Sequence, residues 1–145
     1  MIEKGKWEGL YRYHNKVHQE LKGVDGTKFE INITETDNEN FTGTVQDDLA
    51  TGGTEGVGEI TGRVSGNQLY FVKQMPVRTV FSLSNGTRKT YNKKHPPINY
   101  TGTFSEDGKT VSGEWRFKFR FSLGGLLLLI FGYANKGTWT MTLAE

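Results

Sequence analysis

His14 and His18 stand four residues apart, the spacing that brings two imidazoles onto one face of a helix and lets them hold a zinc ion. A zinc site needs more ligands. Glu20 is near, but the glutamate that a metalloprotease helix carries between its histidines is missing, so the pair reads as two solvent-exposed side chains and no metal site is expected. Asp47-Asp48, with Glu55 and Glu59 beyond, supplies carboxylates. General acid-base chemistry needs one acid and one base with separated pKa values; nothing in this spacing separates such a pair, and turn composition accounts for the residues. No serine sits in a nucleophile elbow, and no glycine-rich loop opens a helix. The chain has no cysteine, which removes disulfides, thiolate metal ligands and thiol nucleophiles. Catalysis has little support, and no cofactor is expected.

Charge offers a second kind of chemistry. Arg116, Lys118 and Arg120 alternate along one strand pattern, and Arg88, Lys89, Lys93, Lys94 and His95 crowd another stretch, an arrangement suited to phosphate or acidic headgroups. The net charge is only +2, however, and Tyr91 alone offers a stacking ring beside those cations, so nucleic acid is not an expected partner.

What remains is aromatic. Aromatic residues make up 12% of the 145 residues against 34% hydrophobic overall, and glycine is abundant, which suits short strands and turns better than a helical bundle. The length fits one domain, residues 1–145. Alternation defines the strands: 6–13 carries Trp7, Gly9, Tyr11 and Tyr13 on one face, and 27–36 sets Phe29, Ile31 and Ile33 against polar neighbours. The run Asp37-Asn38-Glu39-Asn40 turns that strand into 41–46, and Ser65-Gly66-Asn67 joins 59–64 to 68–75, where Phe71 and Val72 compete for the inner face. Asn85-Gly86 is the signal of a two-residue hairpin turn and predicts an extra arm across 77–91. Strands over 98–104, 110–121 and 137–143 complete the set, the last closing against the first. Residues 14–22 form the one segment suited to a helix, and equally suit an irregular crossover.

A recurring signature ties these strands together. Trp7-Glu8-Gly9, Phe41-Thr42-Gly43, Ile60-Thr61-Gly62, Tyr100-Thr101-Gly102 and Val111-Ser112-Gly113 each place a glycine two residues after an aromatic or β-branched residue. Glycine inside a strand marks a bend or a close backbone approach, as a sheet needs in order to curl shut. The expected fold is all-β, an antiparallel up-and-down barrel of about eight strands.

In order along the chain, Trp7-Glu8-Gly9, Phe41-Thr42-Gly43-Thr44-Val45, Gly58-Glu59-Ile60-Thr61-Gly62-Arg63, Phe71-Val72-Lys73, Tyr100-Thr101-Gly102-Thr103-Phe104 and Ser112-Gly113-Glu114-Trp115 resemble the strand pattern of the avidin-like barrels of the calycin group, a shape shared with lipocalins. That resemblance implies a barrel whose mouth holds a small ligand. The avidin cage's polar positions are not matched: Glu8, Gly9 and Leu10 follow the first Trp, Val45 replaces a hydroxyl, Val72 replaces a Trp, and no Asp follows Asp107. Tight biotin binding is therefore not expected.

With the Trp115 face turned inward, Tyr11, Tyr100, Trp115, Phe117 and Trp139 line the interior, a wall suited to a flat apolar or aromatic ligand. The same rings are also efficient filler for a packed barrel. The leading expectation is non-catalytic binding of a small hydrophobic molecule. The alternative is a protein-protein interaction or self-assembly module using Leu126, Leu127, Leu128, Leu129, Ile130 and Phe131, whose contiguous apolar surface fits a homo-oligomer interface. Six residues are too few to span a bilayer, which takes about 20 in a helix, and membrane contact is not favoured. Residues 1–7 lack the apolar stretch of a secretory signal, so a cytoplasmic location is expected.

Overall fold

The computed structural model describes residues 2–14, 25–81, 88–91, 97–117 and 136–144. Among these residues ten strands are formed: β1 Gly5–Tyr13, β2 Thr27–Asp37, β3 Asn40–Asp47, β4 Val57–Ser65, β5 Gln68–Gln74, β6 Arg78–Phe81, β7 Arg88–Tyr91, β8 Ile98–Phe104, β9 Thr110–Phe117 and β10 Lys136–Leu143. Eight of them close into an antiparallel up-and-down barrel in the order β1-β10-β9-β8-β5-β4-β3-β2, and β6 and β7 pair separately as a two-stranded arm. Closure is direct: Trp7 faces Leu143 on β10 and Ile31 on β2, so the first strand bonds to the last as well as to the second.

Period-two alternation drives this arrangement. Phe29, Ile31 and Ile33 on β2 and Leu69 and Phe71 on β5 are buried, while Glu30, Asn32, Tyr70 and Val72 are not. Phe71 thus wins the inner face of β5, and Val72 points the other way. Between Ile33 and Glu35 the β2–β3 register shifts, a bulge that bends β2 and helps the sheet to curl. The arm forms, but Phe81 faces Arg88, whereas a two-residue Asn85-Gly86 turn would set Phe81 against Thr90. Residues 82–87, and the segment 15–24 that covers most of the expected helix, lie outside the described residues.

The strand glycines mark close approach. A Cβ on Gly113 would collide with the Thr101 carbonyl, and one on Gly137 with the Arg12 carbonyl and the Trp115 indole nitrogen. Each inward tryptophan of this region lies across from such a glycine: Trp139 faces Gly113, and Trp115 faces Gly137. The rings use the space to reach backbone. Trp139 Nε1 donates to the Thr101 and Glu114 carbonyls at 3.0 and 3.1 Å, and Trp115 Nε1 to those of Arg12 and Thr138 at 3.1 and 3.2 Å. Buried indole N–H groups thereby find partners without a polar side chain in the core.

The two ends of the barrel differ. One end is sealed by short turns: Asp37 pairs with Asn40 around Asn38-Glu39, Ser65 with Gln68 around Gly66-Asn67, and Ser105 to Lys109 joins β8 to β9. The opposite end emits every long connection: β1 to β2, β3 to β4, β5 through the arm to β8, and β9 to β10. Loops carried by a rigid scaffold are where binding groups concentrate. Among the described residues no helix is long and apolar enough to cross a membrane.

Candidate functional site

At the loop-bearing end the aromatic core gives way to an ion pair. Lys73, on the same inner face of β5 as Leu69 and Phe71, directs its Nζ to Asp47 Oδ1 at 2.6 Å, and both side chains are only 2% exposed. Asp47 ends the inward series Phe41, Gly43, Val45 on β3. Its second oxygen, Oδ2, accepts from the Tyr11 hydroxyl at 3.3 Å and from the Thr54 backbone N–H at 3.1 Å. The loop after β3 is built to deliver that last bond. Asp48 caps a single 3-10 turn, Leu49–Thr51, accepting from Ala50 N and from the Thr51 hydroxyl. Thr51 is in turn tied to β2 through Thr27 and Lys28. Gly53 packs where a Cβ would strike the side chain of Asp47, and Thr54 follows with its N–H over the carboxylate.

The ammonium is otherwise surrounded by rings. Nζ lies 5.0 Å from the centroid of Tyr11, 5.7 Å from that of Phe29 and 5.9 Å from that of Tyr100, distances at which ring faces attract a cation. Tyr100 stacks on Phe71 at 4.6 Å between centroids and meets Trp139 edge-on at 5.4 Å. Burial, with the Asp47 charge adding to it, pushes the phenols of Tyr11 and Tyr100 well above the ordinary tyrosine range, so both keep their protons at neutral pH.

Between these groups lies a hollow of about 20 Å³, lined by Tyr11, Asp47, Lys73, Tyr100 and Trp115, with half-buried Tyr13 and Phe117 at its rim. That is room for about one water molecule. The apolar side chains deeper in the barrel form one buried cluster. A wider depression of about 340 Å³ lies over the β4–β5 hairpin, but its polar lining of Arg63, Ser65, Gln68 and Tyr70 is exposed and holds no buried charge.

Of the residues expected from sequence to face the interior, Tyr11, Tyr100, Trp115 and Phe117 meet at this hollow. Trp139 is buried in the same core but does not line it; it packs against Phe71 and Tyr100. The segment Leu126 to Phe131 lies outside the described residues, as do Lys118 and Arg120 of the expected basic face. Asp47 is not ordinary turn composition, since it is buried and paired, whereas its neighbour Asp48 does serve the turn. Among the described residues no three His, Cys, Asp or Glu side chains converge, and His18 falls outside them. Lys73 was the residue that sequence reasoning passed over. Once Phe71 is placed inward, period two places Lys73 there as well, and that parity was the available signal.

Comparison of the chain with family models, curated proteins and solved structures finds no match. The fold itself, a closed eight-stranded antiparallel up-and-down barrel, is consistent with a calycin-like shape.

Proposed function

We propose that this barrel is a non-catalytic binding protein that takes a small apolar or aromatic molecule at its loop-bearing end, in the manner of an avidin-like calycin with a different ligand. The observation that carries the reading is the polar cluster of Lys73, Asp47 and Tyr11 inside an aromatic wall, beside the hollow, at the end where all the long connections emerge. Ligand sites have this composition: mostly apolar lining with a few fixed polar groups. The hollow is far below the roughly 300 Å³ of a full ligand pocket. Binding therefore seats one end of the ligand in it and requires the rim rings of Tyr13 and Phe117 to swing outward around the rest.

Native mass spectrometry of protein isolated from its source tests this directly, because a resident ligand appears as a mass lost on denaturation. Titration with flat naphthalene compounds, followed by tryptophan fluorescence, is the complementary assay. Dissociation constants on the order of 10 µM to 1 mM are expected for ligands of this size. The absence of both a co-purified molecule and any saturable quenching up to the solubility limit overturns the proposal.

The small volume of the hollow favours a second reading, in which the barrel is a scaffold and the chain self-associates through Leu126 to Phe131. Sedimentation of the Leu127→Ser/Leu129→Ser variant is its test.

A further inference from the structure

We infer that the hollow receives the hydrogen-bond-acceptor oxygen of an uncharged ligand, such as the carbonyl of an aromatic ketone, amide or lactone, held by the Tyr100 hydroxyl and the Lys73 ammonium. The inference rests on the ligand-binding reading above and adds the chemistry of the ligand's buried end.

Donors and acceptors around the hollow do not balance. Tyr100 is 2% exposed, and among the described residues its hydroxyl has no hydrogen-bond partner. A buried O–H without a partner is rare and calls for an acceptor. Lys73 has three N–H donors and makes one hydrogen bond among the described residues, to Asp47; its other contacts are ring faces. Both oxygens of Asp47 are meanwhile engaged, Oδ1 by Lys73 and Oδ2 by Tyr11 and Thr54. Among the described residues the spare donors, the Tyr100 O–H and two Lys73 N–H groups, outnumber the spare acceptor sites on the Tyr100 and Asp47 oxygens, which favours a ligand that brings an acceptor.

Charge narrows the class. Lys73 and Asp47 already neutralise each other in a buried site. A carboxylate or sulfonate on the ligand would leave an uncompensated negative charge there, beside Asp47, and an amine would add a second positive charge beside Lys73. An uncharged acceptor avoids both. Size agrees, since a hollow of about 20 Å³ admits a single oxygen and not a branched anion.

The test uses the whole chain and three ligands of one shape: 2-acetonaphthone, which carries a carbonyl; 2-ethylnaphthalene, which lacks it; and 2-naphthoate, which is charged. Calorimetry or tryptophan quenching should rank the ketone at least about tenfold tighter than the other two, a factor corresponding to one good hydrogen bond. Tyr100→Phe keeps the ring stacked on Phe71 and should cut the ketone's advantage over the hydrocarbon severalfold, leaving the part that Lys73 supplies. The infrared carbonyl band of the bound ketone should shift to lower frequency in the unsubstituted protein. Equal affinity for all three ligands, tightest binding of naphthoate, or a preference for the ketone that is undiminished in Tyr100→Phe overturns the inference while leaving a ligand site in place. If the variant does not fold, an unshifted carbonyl band overturns it. No binding of any of the three overturns the ligand-binding reading itself.

Discussion

Replacing Lys73 by methionine removes the ammonium while keeping most of the volume of its stem, so the response measures the ion pair and not a cavity. In Lys73→Met the Asp47 carboxylate stays buried and keeps two bonds, from the Tyr11 hydroxyl at 3.3 Å and the Thr54 N–H at 3.1 Å. In Asp47→Leu the ammonium keeps, among the described residues, only ring faces, the nearest centroid being 5.0 Å away. Breaking a buried pair from one side costs about 3–5 kcal/mol, because the surviving charge is stranded. The two remaining bonds put Lys73→Met at the lower end, about 3 kcal/mol, and their lack puts Asp47→Leu near 5. The double variant strands no charge and loses the acceptor of the Tyr11 hydroxyl and of the Thr54 N–H, about 1–3 kcal/mol. Urea unfolding at pH 7, followed by tryptophan fluorescence, should therefore place the double variant above Asp47→Leu in stability, with a coupling of several kcal/mol in the cycle. Single-variant losses that simply add, or a Lys73→Met loss under about 1 kcal/mol, would refute the claim that the pair is desolvated.

Other perturbations probe the barrel separately. Gly137→Ala should cost about 2–4 kcal/mol, since the added methyl meets the Arg12 carbonyl and pushes the Trp115 indole off its two carbonyl partners; a lowered melting temperature with a red-shifted emission checks it. Tyr11 and Tyr100 have folded pKa values raised above the ordinary 10.0, chiefly by burial, so their contribution is intact below about pH 10 and is lost as pH rises toward the folded values. Stability should fall there by about 1.4 kcal/mol per pH unit for each, and the Tyr11→Phe/Tyr100→Phe variant should show a shallower slope; parallel slopes would contradict the burial of both hydroxyls. Under the assembly reading, Leu127→Ser/Leu129→Ser should sediment as a smaller species than the parent chain, and unchanged sedimentation rejects that reading.

The barrel was readable in the sequence because its physics is local and repetitive. Alternation over 27–36 and 110–117 dictates which side chains turn inward, and Asn38-Glu39 and Gly66-Asn67 announce their turns through residue type alone. Closure followed from the matching patterns of the first and last strands, realised as Trp7 against Leu143. The register of the arm was not readable, since Asn85-Gly86 states a preference for a turn but not the pairing of four-residue strands on either side. The ion pair was hidden for a different reason. A lysine in Phe71-Val72-Lys73 and an aspartate before Asp48 look like the polar ends of strands, and only the spatial adjacency of β3 and β5 across β4 reveals that they satisfy one another. Charge pairing over 26 residues of sequence leaves no periodic trace.

Stability gives no general reason to keep a lysine and an aspartate in this core. A buried pair exchanged for apolar side chains of similar volume is often neutral or favourable, and the rings around Lys73 would pack as well against Met. Two explanations of the pair then make opposite forecasts for the Lys73→Met/Asp47→Leu variant. If the pair only fixes how the 47–54 loop closes over the barrel end, the variant should loosen that loop, raising amide exchange at Thr54 while 2-acetonaphthone binds as before. If the pair orients donors for a ligand, the variant should bind 2-acetonaphthone no better than 2-ethylnaphthalene, whatever happens to the loop. The geometry favours the second forecast, because Asp47 anchors the loop through Oδ2 alone, while Oδ1 serves only to hold the ammonium beside the hollow.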